Sequence, residues 1–195
     1  MYGAILMKSL LILGAGGHGK SVAEAALLSG MWSNIVFIDD RWPSIELFWG
    51  LPVVSDDGGI EQFSSSEFCA VAAVGNNQMR QYFCAAIESA GLELVSVIHP
   101  RAYISPSAVL AAGSTVMAVA MIGTDTKIGR SAIINSNTVL DHDCELGDFV
   151  HLGVGVKASG AVKIGSYAWL QAGCIAGCGA VIAENAVVTV GTVLG

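Results

Sequence analysis

The sequence has 195 residues, 16 Asp and Glu against 9 Lys and Arg, a net charge of −7 and a mean hydropathy of +0.63. That length accommodates two small domains, and an acidic chain without a basic block argues against nucleic acid or an anionic membrane as a partner. The charge is uneven: residues 1–97 carry four Lys and Arg against ten Asp and Glu, residues 98–195 five against six.

The apolar start has no charge before Lys8 and no convincing cleavage site, so a signal peptide is not expected. Met7 reads as the natural start, residues 1–6 as an extension, and the cytoplasm as the expected location. Residues 8–13 are a β-rich run ending in Gly14-Ala15-Gly16-Gly17-His18-Gly19, and residues 20–29 read as a helix. Strand, glycine turn and helix make a phosphate-binding arrangement, because glycines let the backbone approach and the helix start favours negative charge. Residues 35–38 form a second strand ending in Asp39-Asp40, whose carboxylates can bind ribose hydroxyls or base edges. Residues 69–74 form a third, ending in Gly75-Asn76-Asn77; residues 78–91 read as a helix and residues 94–98 as a last strand. The expectation is a parallel α/β sheet of about four strands over residues 7–97. Half a Rossmann fold of this size suits one nucleoside diphosphate better than a dinucleotide.

From Ile98 the pattern changes. Aliphatic residues recur every sixth position, as in Val116, Ile122, Ile128, Ile134 and Leu140, with a residue no larger than valine four places after each. A period of six fits neither a helix nor an alternating strand, so the unit is a short strand and a turn, three units making one coil. Residues 98–195 are therefore expected to be a left-handed parallel β-helix, with the first and fifth side chains of each hexad inward and residues eighteen apart stacked at about 4.8 Å. The second position is often glycine (Gly123, Gly129, Gly147, Gly153, Gly165, Gly177), read as a corner needing unusual dihedrals. Residues 102–124 carry no charge, but they include Pro106 and Gly113 and keep the six-residue phase, so no membrane span is expected. The five cysteines lack C-x-x-C spacing and read as reduced, structural thiols.

A short nucleotide-binding domain followed by an uninterrupted hexapeptide coil resembles the bacterial sugar O- and N-acetyltransferases. That group includes sialic acid O-acetyltransferases and enzymes acting on UDP-4-amino-4,6-dideoxy sugars. The resemblance rests on the loop from Gly14 to Gly19, Asp39-Asp40, Val74-Gly75-Asn76-Asn77, Val97-Ile98-His99-Pro100, Asn135, Asp141-His142-Asp143 and His151. It implies acetyl-CoA as donor, a nucleotide-linked and preferably UDP-linked amino sugar as acceptor, a homotrimer, and no metal. By position it implies His142 as catalytic base with Asp143 as its acidic partner, and Asn135, His151 and Gly160 as acetyl-CoA-binding residues. The nucleotide sugar would be held by Gly14, Gly16, Gly17, His18, Asp39, Asp40, Gly75 and Asn76. Members continue past the last coil into a short tail, whereas this sequence stops at Gly195 in mid-hexad.

Acetyl transfer to an amine needs a base for the departing proton and donors for the developing oxyanion. Histidine suits the first task, and either Asp141 or Asp143 could fix its tautomer. His142 and His151 are nine residues apart, half a coil, so the two outward side chains cannot share one cleft within a chain. That spacing predicts sites between subunits, closed most simply by a cyclic trimer. O-acetylation of sialic acid or a related sugar, and a trimeric nucleotide-binding scaffold without catalysis, stand as the alternatives. A zinc hydratase would need three converging histidines, which the coil does not offer.

Overall fold

Ser9–Leu13 (β1) is apolar on both faces and becomes the centre of a sheet covered on both sides. The computed structural model describes residues 7–195; residues 1–6, read above as an extension, lie outside the described residues. Gly17–Ser29 (α1), Ile35–Ile38 (β2), Leu47–Phe48 (β3), Leu51–Ser55 (β4), Phe68–Ala72 (β5), Asn77–Ser89 (α2) and Glu93–Leu94 (β6) follow. They assemble into a six-stranded sheet of order β3-β4-β2-β1-β5-β6, parallel except for the β3–β4 pair. Leu10 and Ile12 face α1 through Val22, Ala23 and Ala26, whereas Leu11 and Leu13 face α2 through Cys84 and Ile87. Each fully buried leucine or isoleucine contributes about 1.5–3 kcal/mol.

The expected four-strand sheet is thus too small. The missing strands are β3 and β4, where Pro52 and Gly50 disguise a hairpin with only two paired positions. The single strand expected at residues 94–98 is in fact two: Glu93–Leu94 closes the α/β sheet, and Val97–Ile98 (β7) opens the coil.

From β7 to Val193–Leu194 (β23) runs a two-residue strand every six residues. These strands stack as three parallel sheets, the three faces of a left-handed parallel β-helix. The first face holds β7, Thr115–Val116 (β10), Ile133–Ile134 (β13), His151–Leu152 (β16), Trp169–Leu170 (β19) and Val187–Val188 (β22). Partners are eighteen residues apart, as Ile133↔His151 and His151↔Trp169 show. First and fifth positions point inward, and the central ones, such as Ile134, Leu140, Val150 and Leu152, are fully buried. Inward polar side chains bond the next coil: Thr126 Oγ1 donates to the Asp141 carbonyl at 2.8 Å, and the Cys144 thiol to that of Ser159 at 3.3 Å. Cys178, in contrast, is exposed, which departs from the reading of all five cysteines as structural.

The reason given above for the second-position glycines is wrong. Positive φ falls instead at the fourth position, occupied by Asp125, Ser131, Asn137, Asp143, Phe149, Tyr167 and Asn185. Five of these six second-position glycines, all but Gly177, are required by proximity. A Cβ on Gly129 would lie 2.5 Å from the Gly147 carbonyl carbon, and one on Gly147 2.5 Å from Ser166 Oγ.

The coil meets the carboxyl end of the α/β sheet. Val97 and Met117 join the α1 side of its core, and Phe149 and Tyr167 the α2 side.

Candidate active site

β1 and β5 are neighbours whose crossovers leave on opposite faces of the sheet. The crevice outside their carboxyl ends is a topological switch point, where α/β sheets bind ligands. Its walls are the loop after β1 and the segment Val74–Asn76 after β5. Gly14 adopts φ +108, and a Cβ there would strike Val74 Cγ1 at 2.6 Å, so glycine lets the two loops touch. Gly16 and Gly17, at the start of α1, are exposed with open space around them.

Asp39 does not point freely at a ligand. Its carboxylate accepts from the Ala15 amide at 2.7 Å and pairs with Arg41, which also donates to the Ala15 carbonyl at 2.6 Å. Burial works to raise the pKa of Asp39, but the Arg41 and Ala15 hydrogen bonds prevail and hold it below the usual carboxylate range. Asp39 and Arg41 therefore brace the glycine loop, while Asp40 is exposed.

His18 turns from the loop toward the coil, with Nε2 3.2 Å from Thr115 Oγ1. Burial, with His151 and the Arg80 cation nearby, lowers its pKa to about 3. Two rungs up the first face from Thr115, His151 Nδ1–H donates to the Gly75 carbonyl at 3.0 Å. Its Nε2 then carries no proton and accepts from Asn135 Nδ2–H at 3.2 Å, while Asn135 Nδ2 also donates to the Leu152 carbonyl at 3.1 Å. Burial pushes the pKa of His151 down to about 4, so the ring is neutral near pH 7. The ring stacks on Trp169 at 5.6 Å. Asn76 caps α2, accepting from the Met79 amide at 2.9 Å. Gly75, Asn76 and His151 line one cleft of about 480 Å³, together with Gln78, Trp169 and Asn185. Residues expected for two different ligands, Gly75 and Asn76 for one and Asn135 and His151 for the other, thus meet at the junction.

His142 lies elsewhere. It occupies the corner between Val139–Leu140 (β14) and Glu145–Leu146 (β15), the second and third faces, and does not line that cleft. Its Nδ1 is 2.8 Å from Asp143 Oδ2, whereas Asp141 accepts from the His142 backbone amide at 2.9 Å, so Asp143 is the carboxylate on the ring. Asp143 reaches back because it sits at φ 58, a left-handed conformation that aspartate tolerates. The Asp143 hydrogen bond and the Asp141 charge raise the pKa of His142. One coil on, a Cβ on Gly160 would lie 2.5 Å from Nε2 and Cε1 of that ring, so the absent side chain is the space the imidazole occupies.

The sequence reading missed Arg80 and gave Asn77 no role beyond its place in the Val74–Asn77 segment. Arg80 is fully buried; Nε donates to the Ser131 carbonyl at 2.8 Å, and Nη2 to those of Phe149 at 2.8 Å and Asn77 Oδ1 at 2.8 Å. Asn77 Nδ2 donates to the Tyr167 carbonyl at 2.7 Å. Ser131, Phe149 and Tyr167 are the fourth-position residues of successive rungs, so α2 is laced to one corner of the coil. Two aromatic residues at a left-handed position, eighteen apart and stacked at 5.3 Å, were the available signal that something covers this corner. Among the described residues no three His, Cys, Asp or Glu cluster to hold a metal, and no helix is long and apolar enough to cross a membrane.

Residues 9–87 match the family model described as the PglD N-terminal domain. A perosamine N-acetyltransferase from Caulobacter crescentus, solved as a histidine-to-asparagine variant with CoA and GDP-perosamine, superposes with a TM-score of 0.90. It is 34% identical over 97% of this chain and 89% of that one. The chain belongs to the hexapeptide-repeat sugar N-acetyltransferase family. Its members are enzymes that use coenzyme A as acetyl carrier. The GDP-perosamine N-acetyltransferase of Escherichia coli O157:H7 is 27% identical over 84% of this chain and 76% of its own length. The UDP-N-acetylbacillosamine N-acetyltransferase of Bacillus subtilis (strain 168) is 29% identical over 57% of this chain, which spans about half (52%) of that protein.

Proposed function

We propose that this protein transfers the acetyl group of acetyl-CoA to the amine of a GDP-linked amino sugar, with His142 as general base. GDP replaces the UDP expected from the sequence, because the GDP-perosamine enzymes resemble this chain over most of its length and the UDP-sugar enzyme over little more than half. In this reading residues 7–97 hold the nucleotide sugar at the switch-point crevice, through Gly14, Gly16, Gly17, Asp40, Gly75 and Asn76. Asp39 serves by bracing the loop and His18 by holding it against the coil. Residues 98–195 hold acetyl-CoA and carry the chemistry.

The observation that carries the reading is His142: an exposed imidazole, Nδ1 on the Asp143 carboxylate, Nε2 without a partner among the described residues, lying over a glycine. As the amine attacks the thioester carbonyl, Nε2 takes the proton the nitrogen loses while Asp143 stabilises the imidazolium that forms; the C–S bond then breaks and that proton passes to the departing CoA thiolate, which leaves as the thiol. Gly160 leaves room for the thioester beside the ring. Asn135 and His151 complete the site from a neighbouring subunit, since His142 stands on a different corner of its own coil; a homotrimer supplies three such sites.

His142→Ala tests the base: turnover should fall by about 10²-fold or more with acceptor binding retained, and an unchanged rate removes His142 from the role. Thiol release from acetyl-CoA against a panel of GDP- and UDP-linked amino sugars tests the acceptor, and faster turnover of a UDP sugar would reverse the nucleotide assignment.

A further inference from the structure

One arginine of the molecule, Arg80, is a buried cation. Arg80 stands behind the Val74–Gly75 wall of the crevice rather than lining it, does not touch His142, is fully buried, and has no carboxylate partner among the described residues. Its five N–H groups go to carbonyl oxygens and one carboxamide, an arrangement only a planar guanidinium can satisfy. Burial without a counter-charge lowers its pKa to about 10, so it remains a cation near neutral pH. A buried charge held without an ion pair invites the question of what it fixes.

The bonds answer it. Nη1 donates to the carbonyls of Val74 at 3.1 Å and Gly75 at 3.4 Å, and Nη2 donates to that of Phe149, two residues before His151. One rigid fork therefore grips the loop that presents the Gly75 oxygen and the turn that presents the His151 ring. The Gly75 oxygen accepts only, so the proton of neutral His151 must sit on Nδ1. The bare Nε2 and the Leu152 carbonyl both demand N–H from Asn135, which fixes its amide with Nδ2 inward. Asn135 Oδ1 makes no hydrogen bond among the described residues and is left as a free acceptor beside His151.

We infer that Arg80 is a positioning residue for acetyl transfer: its guanidinium holds the Gly75 carbonyl against His151, fixes that ring as the Nδ1–H tautomer, and so orients the Asn135 amide with its oxygen outward. Rotation of the ring or transfer of its proton to Nε2 would set two N–H groups against each other and flip the amide. The inference rests on the reading that Asn135 and His151 border the reacting centre.

The test uses the full chain with ring-¹⁵N-labelled histidine, His151 being assigned by its loss in His151→Gln. The native protein should show His151 with a protonated Nδ1 and a bare Nε2; a protonated Nε2 there overturns the inference without any Arg80 variant. In Arg80→Met the His151 ring signals should move toward tautomer averaging, and kcat should fall about 10-fold or more with KM for acetyl-CoA little changed. Arg80→Lys, which keeps the charge but not the fork, should fall between; it also serves if Arg80→Met does not fold. Ring signals unchanged in a folded Arg80 variant overturn the relay itself. Signals that move while turnover stays intact overturn the inference through the active-site reading beneath it.

Discussion

An imidazole that is to take a proton from an amine must itself be neutral, and Asp143 raises the pH at which His142 becomes so. The rate should therefore fall on the acid side, below a midpoint above the ordinary imidazole value of about 6.5. Asp143→Asn removes the main cause of that rise. Its kcat/KM profile should show the acid limb displaced to lower pH and a lower plateau, and a limb that does not move would dissociate His142 from the titration. The two junction histidines carry the opposite sign. His18 and His151 are pushed down to about 3 and about 4, so between about 6.5 and these values the unfolded chain binds protons that the folded one refuses. Their contribution to stability is full above about 6.5, is lost progressively as pH falls below that value, and is gone once pH has passed through about 4 for His151 and about 3 for His18. Thermal unfolding followed by circular dichroism should show a midpoint that declines by several degrees between pH 7 and pH 4.5, with a shallower decline in the His18→Asn, His151→Asn double variant.

At the scale of elements, two glycines of the coil should respond to alanine in opposite ways. Gly129→Ala drives a Cβ into the backbone of the next rung, which cannot yield, and should destabilise by about 1–3 kcal/mol. Gly160→Ala drives it into an exposed ring that can swing aside, so the unfolding midpoint should hardly move while turnover falls about 10-fold or more. Paired melting and activity measurements distinguish the two. The contrast shows where sequence stops being legible. The six-residue period exposed every coil strand, because an inward aliphatic is demanded at each turn, and it put His142 above Gly160. It did not reveal why glycine stands at the second position, since that depends on how closely one rung approaches the next. Nor did it separate β6 from β7, because Leu94 and Val97 are both apolar and only their hydrogen-bond partners tell which sheet each joins. Arg80 was illegible for the same reason: an arginine in a helix reads as solvated until a row of carbonyls is found facing it.

The largest scale concerns how the halves of the site come together. If His142 of one subunit serves Asn135 and His151 of the next, neither His142→Ala nor Asn135→Ala trimers will turn over well. Trimers reassembled from an equal mixture should regain about a quarter of native sites, because that fraction of interfaces pairs the two intact surfaces. No recovery in mixed trimers verified by mass would place the whole site within one chain. Sedimentation should give three chains per particle.

The lacing of α2 to the carbonyls of Ser131, Phe149 and Tyr167 carries a geometric consequence for any longer or shorter version of this protein. The helix can engage the coil only at one edge of the prism, and that edge returns once in eighteen residues. Six residues gained or lost between Ser131 and His142 would swing the base a third of a turn around the axis, away from any neighbour it now addresses, and would carry Phe149 and Tyr167 off the helix with it. A whole rung would keep its direction and move it by about 4.8 Å. The reach between the crevice of the α/β sheet and the His142 corner is therefore graduated rather than continuous, and in the proposed reaction acceptors of different length could be accommodated only in steps.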